Sequence, residues 1–188
     1  MDAKTPTQSR TVLSQVMEIG DANLANNVHG GVIMKLVDSA AGIAAVRHCG
    51  GRVVTASMDE MSFIEPVFLG EVVTLYAQVN DVGRTSMEVG VRVEAENART
   101  GDLRHVSSAY LVFVALDAQN EPRPVPPLLP ETDNERRRME EAKIRRQHRL
   151  ARKEAIVARR AAAGAGMARA KAEEPTPPST GANGELRE

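Results

Sequence analysis

The sequence of 188 residues has few aromatic side chains and a single cysteine. Phe, Tyr and Trp make up only 3% of it and Trp is absent, so the core must be built from aliphatic side chains. The lone Cys49 excludes a disulfide within the chain. No apolar run approaches the length of a membrane-spanning helix. The first residues also lack the basic and apolar blocks of a signal peptide, so we expect a cytoplasmic location and no stable membrane insertion.

Neither sign of charge dominates, because the opposite net charges of two parts of the chain cancel each other. The formal net charge is −1 at pH 7, yet acidic side chains outnumber basic ones over 1–130 and the reverse holds over 131–174. The basic part has no interleaved aromatic residues and alternates Glu with Arg. That pattern is more typical of a solvated helix than of a nucleic-acid-binding surface, so we predict no nucleic-acid partner.

Motifs for metal binding and for serine hydrolysis are missing. The four histidines show no ligand spacing with one another or with Cys49, so no metal site is predicted. Ser39 has no G-x-S-x-G context, which argues against a serine hydrolase.

The chain does contain a helical segment preceded by a polar loop. Apolar residues recur at helical spacing over 32–46, and Gly30 and Gly31 stand where this helix should begin. N–H groups at a helix start are unpaired within the helix and lie at the positive end of its dipole, so they can polarise a carbonyl. Asn23 lies in the preceding loop, and Asp38 lies on the flank of the apolar stripe. Asp38 is therefore a candidate general base or nucleophile, with an exposed helical aspartate as the alternative.

The remaining patterns predict an α+β fold in which an antiparallel sheet wraps around this one long helix. Alternating or continuous apolar residues mark five strands: 11–17, 52–64, 71–79, 86–95 and 105–116. Asn80–Gly83 is expected to form a hairpin turn. One helix followed by consecutive antiparallel strands gives this layout, since the sheet must cover the helix.

Composition divides the chain into five expected segments. The folded domain is expected over 10–117, and a charged helical extension over 131–173, where Thr132 and Glu135 fit a capping box. The other segments are a disordered N-terminus at 1–9, a Pro-rich connector at 118–130 and a disordered tail at 174–188.

Several motifs resemble those of the hotdog-fold acyl-CoA thioesterases, in particular the cytosolic long-chain acyl-CoA hydrolases and their bacterial broad-specificity relatives. The matching stretches are Asp21–Gly31, Met34–Asp38, Arg47–Cys49 and Val53–Ser57, and the similarity covers about residues 10–150. The resemblance implies a single hotdog domain, with a helix inside an antiparallel sheet. It also implies a homodimer joined through a continuous sheet, and three such dimers assembled into a homohexamer.

The resemblance assigns roles to individual residues. Asp38 matches the catalytic acid, and Asn23 matches a catalytic amide that a homodimer would place near Asp38 of the other subunit. Gly31 N–H matches the donor that polarises the thioester carbonyl, and Thr55 matches a supporting polar residue. Contacts with the coenzyme A part of the substrate are implied for His29, Gly30, Gly83, Arg84, Thr85 and Ser86.

The activity that the resemblance implies is hydrolysis of acyl-CoA to a free acid and coenzyme A, without a metal or a cofactor. We expect Met34, Met58 and Phe63 to line the acyl tunnel. Two other classes remain open. One is a hydratase, although such enzymes use a histidine that this helix does not pair with Asp38. The other is an acyl-CoA-binding or regulatory protein without turnover.

Overall fold

The computed structural model describes residues 1–172, with side chains up to residue 161. Five strands form one antiparallel sheet in the order β1-β3-β4-β5-β2. The strands are β1 (Thr11–Val16), β2 (Val53–Phe63), β3 (Val72–Val82), β4 (Ser86–Asn97) and β5 (Asp102–Ala115). The helices are α1 (Pro6–Ser9), α2 (Gly30–Cys49) and α3 (Asp133–Ala172), with a 3₁₀ turn at Ile19–Asp21. The predicted α+β layout is confirmed, and the expected tail at 174–188 lies outside the described residues.

The central helix α2 forms where its apolar stripe predicts it. His29 caps its N-terminus, and Gly50 ends it in the left-handed conformation at φ 67°. The predicted apolar stripe is buried against the sheet, and its buried residues are Ile33, Val37, Ala40, Ala41 and Ala44. Because alanine side chains are short, the strands approach this helix closely and enclose it.

The hairpin between β3 and β4 differs from the sequence prediction. The turn was expected at Asn80–Gly83, but β3 continues to Val82 and its pairing with β4 shifts between Val79 and Asp81. Asn80 is buried and donates a hydrogen bond to Glu88 at 3.4 Å. Turn propensity was overridden here because the Asn and Asp side chains are buried in a strand bulge rather than exposed in a loop.

The N-terminal segment is ordered, and the predicted disorder at 1–9 is wrong for its second half. Ser9 is fully buried, and its Oγ donates to the Pro6 carbonyl and accepts the Val79 N–H at 3.0 Å. Lys4 N–H donates to the carbonyl of Pro127 at 2.9 Å. Polar residues that suggested a solvated arm serve instead as hydrogen-bond partners for β3 and the connector.

The first turns of α3 lie on the face of the sheet that α2 does not cover. The predicted capping box is present, since Glu135 N–H donates to Thr132 Oγ1 and Thr132 N–H donates to Glu135. Arg145 donates to Glu88, whose side chain is on the opposite face of β4 from the core residues. The chain divides into two compact units, 1–147 and the part from residue 148 onward. In the described part of the chain, no helix is long and apolar enough to cross a membrane.

Candidate active site

Asp38 and Thr55 lie side by side where α2 faces β2. The Thr55 hydroxyl donates a hydrogen bond to Asp38 Oδ1 at 2.8 Å. Both residues are exposed in the single chain, so a substrate can reach the carboxylate. A hydroxyl that holds one oxygen orients the carboxylate, as a general base or a nucleophile requires. The structure therefore brings together two of the four predicted catalytic residues.

An apolar groove leads away from this pair along α2. It encloses about 410 Å³. Asp38, Gly42 and Val46 follow one another at intervals of four residues along one side of the helix. The complete lining is Asp38, Ser39, Gly42, Ile43, Val46, Arg47, Val53, Thr55 and Phe113. The reactive carboxylate thus stands in the wall of a mainly hydrophobic channel.

Asn23 lies in a different cavity and presents only its amide N–H groups. Its Oδ1 already accepts hydrogen bonds from the N–H groups of Ala25 and Asn27, at 2.8 and 3.2 Å. The side chain lines a cavity of about 430 Å³ beside the start of α2, together with Gly30 and Phe63. Because the oxygen is used within the loop, Asn23 can act toward a ligand only as a hydrogen-bond donor.

The donors at the start of α2 are not equivalent. Gly31 N–H donates to Nδ1 of His29 at 2.9 Å, so the expected oxyanion donor is engaged within the chain. The same bond makes His29 the N-cap of the helix, with Nδ1 as the acceptor. Gly30 N–H has no hydrogen-bond partner among residues 1–172, and Gly30 lines the Asn23 cavity. Within one chain, Gly30 is therefore the donor available to a ligand.

The structure does not bring Asn23 to Asp38 within one chain. Gly31 and Asp38 are seven residues apart on α2, which is about 10 Å along the helix axis. Asn23 and Gly30 line one cavity, and Asp38 and Thr55 line the other. Within a single copy, the predicted site residues are therefore divided between two cavities.

The Gly83–Ser86 hairpin lies at the end of the sheet where β2 begins. Thr85 accepts a hydrogen bond from Ala115 N–H, and Ala115 pairs with Val53 of β2. The Arg84 carbonyl accepts a hydrogen bond from the Val125 N–H at 3.1 Å. The side chain of Arg84 is exposed. A Cβ on Gly83 would come within 2.8 Å of the Arg146 guanidinium, so this turn packs tightly against α3.

The groove residues Gly42, Ile43, Val46 and Phe113 were not predicted from the sequence. Of the expected tunnel residues Met34, Met58 and Phe63, only Phe63 lines either of the two cavities. The missed signal was the four-residue spacing from Asp38, which places Gly42 and Val46 on its side of the helix. Among residues 1–172, no group of three potential metal ligands is close enough to hold an ion.

Comparison with known proteins shows the family to which this fold belongs. The model of the Thioesterase superfamily matches residues 25–101. The cytosolic acyl coenzyme A thioester hydrolase of Mus musculus is 37% identical over 146 residues, which are 77% of this chain and 38% of the mouse protein. The chain thus corresponds to well under half of that relative's length.

Solved structures match over nearly their whole length. A hexameric acyl-CoA thioesterase, solved in the apo form, has a TM-score of 0.79 and 34% identity, covering 81% of this chain and 97% of its own. An acyl-CoA hydrolase from Staphylococcus aureus, solved with butyryl coenzyme A, coenzyme A and coenzyme A disulfide, has a TM-score of 0.78 and 30% identity, covering 87% and 99%. Its variants with one aspartate, one asparagine or one threonine changed to alanine also match. The chain therefore belongs to the thioesterase superfamily and has the hotdog fold that its motifs predict.

Proposed function

We propose that this protein hydrolyses acyl-CoA thioesters to a free carboxylic acid and coenzyme A. The observation that carries the proposal is the Asp38–Thr55 hydrogen bond in the wall of an apolar groove. A carboxylate held in this way can drive attack on a carbonyl, and the groove offers an apolar surface for an acyl chain. The activities named for the similar proteins support the same reaction.

Asp38 has two routes to break the thioester. As a general base it takes a proton from water, whose oxygen then attacks the carbonyl carbon; the tetrahedral oxyanion collapses, and the thiolate leaves and takes up a proton. As a nucleophile it attacks the carbon itself, the C–S bond breaks and the thiolate leaves and takes up a proton, and water then hydrolyses the mixed anhydride to the free acid and the Asp38 carboxylate. Thr55 holds the carboxylate in either case. Neither route requires a metal or a cofactor.

The complete site is proposed to lie between two copies of the chain. Asn23 and Gly30 of one copy would donate N–H groups to the oxyanion next to Asp38 and Thr55 of the other. β2 is an edge strand, which leaves it open to pairing with a second copy. A homodimer would give two sites, and three dimers would give the hexamer seen in a similar enzyme.

The spacing of the three polar residues supports their assignment. In the Staphylococcus aureus enzyme the positions replaced by alanine, Asn, Asp and Thr in chain order, are separated by 15 and then 17 residues. Asn23, Asp38 and Thr55 have the same intervals here. We propose that the exposed Arg84 side chain and the Gly83–Ser86 hairpin contact the coenzyme A arm. We also propose that the protein acts in the cytosol.

The test is release of free thiol from acetyl-, octanoyl- and palmitoyl-CoA by the wild type and by Asp38→Asn. Asn keeps an oxygen for the Thr55 hydroxyl but removes the charge, so kcat should fall by at least about 100-fold. The matched control is Asp102→Asn. Asp102 is also exposed and accepts a threonine hydroxyl, from Thr100 at 2.6 Å, but lines neither cavity.

The expected result is loss in Asp38→Asn with unchanged turnover in the Asp102 variant and unchanged assembly in both. Tight acyl-CoA binding without thiol release by the wild type would replace this proposal with that of a binding protein. Water addition to an enoyl-CoA without thiol release would replace it with that of a hydratase.

A further inference from the structure

The groove beside Asp38 has a glycine in its wall that the helix itself does not require. Gly42 lies in the interior of α2, where glycine is the least favourable residue after proline. A Cβ built on it would meet nothing closer than Phe113 Cε1 at 3.8 Å, an ordinary contact distance. Its backbone is not among those with positive φ. Neither sterics within the chain nor backbone conformation therefore explains the glycine.

The absence of a side chain at Gly42 keeps the groove open. Gly42 stands one helical turn beyond Asp38, between that residue and Val46 on the same side of α2. Phe113 of β5 forms the opposite wall at this point. A branched side chain at position 42 would fill the channel directly beyond the reacting carboxylate. The helix therefore gives up stability at the place where an acyl chain would have to pass.

The far end of the groove is bounded by a polar residue. From Asp38 to Val46 the channel runs about 12 Å along the helix. Arg47 stands at that end, with its guanidinium bonded to the Arg10 carbonyl and its own carbonyl accepting from Lys4 Nζ at 3.0 Å. A channel of this length is much longer than an acetyl group needs and suits an alkyl chain of medium length.

The other cavity is less suited to a hydrocarbon. It is lined in part by polar groups, including Asn23, Asn27, Glu65 and Ser107. Amide and hydroxyl groups suit a pantetheine arm, which carries two amides, better than an alkyl chain. In the proposed dimer, the groove of one copy and the Asn23 cavity of the other would hold the two parts of the substrate, with the thioester between them.

We propose that the acyl chain lies in the groove between α2 and Phe113, and that Gly42 sets how long a chain the enzyme accepts. This inference rests on the proposed acyl-CoA hydrolysis. Each methylene buried in the groove should raise kcat/KM about fourfold, until the chain reaches Arg47. Gly42 is thus a specificity-determining residue for chains longer than acetyl.

The experiment compares kcat/KM for acetyl-, butyryl-, hexanoyl-, octanoyl- and palmitoyl-CoA in the wild type, Gly42→Ala and Gly42→Leu. Leucine should lower the ratio of the octanoyl-CoA value to the acetyl-CoA value by about 100-fold, the loss expected for several unburied methylenes. Alanine should give a smaller shift toward short chains and a higher melting temperature, because it favours the helix.

Two further variants sharpen the test. Lys35→Leu adds the same side chain to an exposed position of α2 that lines neither cavity, and should keep the wild-type profile. Ile64→Trp narrows the Asn23 cavity at an exposed position. If it shortens the preferred chain while Gly42→Leu does not, the acyl chain lies there and the proposal is wrong.

Three other outcomes would also test this inference or the proposed function. Wild-type turnover with an unchanged chain-length profile in Gly42→Leu overturns this inference and leaves the hydrolase proposal standing. Loss of assembly in Gly42→Ala would show that the glycine serves contact between subunits instead. No thiol release from any substrate by the wild type would remove the proposed function itself.

Discussion

The two faces of the sheet are covered by helices that pack in opposite ways. On one face α2 buries Ala40 and Ala44 in a core that includes Leu75 and other aliphatic residues. On the other, Arg145 of α3 donates to Glu88 at 2.6 Å and lies 3.6 Å over the Tyr110 ring. Apolar burial needs only volume and periodicity, whereas the charged contacts need specific partners. The first face should thus tolerate salt and pH changes that weaken the second.

The largest expected effect comes from a cavity on the apolar face. Leu75 is fully buried, so Leu75→Ala should lower the free energy of unfolding by about 2–5 kcal/mol. The loss should be the same at low and high ionic strength, because no charge is involved. Urea unfolding at two salt concentrations measures it. Val12→Ala, at a position that is 62% exposed on β1, is the control and should change little.

A substitution on the charged face should destabilise the protein less. The loss should depend on whether the ion-pair partner of the replaced residue is also replaced. Arg145→Met leaves Glu88, only 6% exposed, without its cation and should cost about 2 kcal/mol. Changing both residues to Met should recover most of this loss, because no uncompensated charge remains. Urea unfolding of the two variants tests the prediction.

The control for this pair is Arg136→Met, which breaks an exposed ion pair with Asp133 and should change stability little. If the double variant were as unstable as Arg145→Met, packing by Arg145 over Tyr110 would be the main contribution, and the two faces would be more alike than their chemistry suggests.

The smallest expected effect is the pH dependence of stability that comes from His48, near the C-terminal end of α2. Burial lowers the pKa of His48 below its ordinary value of 6.5; its Nε2 lies 2.9 Å from the Pro126 carbonyl, and that bond opposes the shift. The unfolded chain then binds more protons, so stability is lost as pH falls below about 6.5 toward the folded pKa. The slope from this group cannot exceed about 1.4 kcal/mol per pH unit.

His48→Gln should therefore make unfolding less dependent on pH between 7.5 and about 5.5, since glutamine keeps a donor for Pro126 but does not titrate. Thermal or urea unfolding across that range measures the difference from wild type. The matched control is His148→Gln, which makes the same replacement at an exposed histidine. An unchanged slope in His48→Gln would show that the imidazole binds protons equally in the folded and unfolded states, so that burial does not lower its pKa.

The elements whose burial follows a simple period were predicted from the sequence. In β4 the alternating Met87, Val89, Val91 and Val93 are all buried, and the α2 stripe faces the core as expected. The capping box at Thr132 was also predicted, since it depends on residues only three apart. Local patterns succeed because both partners of each contact lie within one turn or one strand.

The errors concern contacts that neither a hydrophobic period nor a short motif specifies. Ser9 is buried against Val79, 70 residues away, and Asn80 is held by Glu88 across the bulge. At the site, the motifs selected Asp38 and Thr55, which are hydrogen-bonded to each other, but did not show that Gly31 N–H donates to His29. The groove residues were missed because the four-residue spacing from Asp38 places Gly42 and Val46 on its side of the helix but does not show which strand lies opposite.

The sequence by itself determined the α+β class, the position of the central helix and the polar residues that resemble a thioesterase site. Periodicity and short motifs specify these features, because they depend on neighbours along the chain. Only the tertiary structure decided which cavity each residue faces: Asn23 and Asp38 line different spaces in one chain. The reason is geometric, since a channel is formed by elements that meet only when the sheet closes around α2.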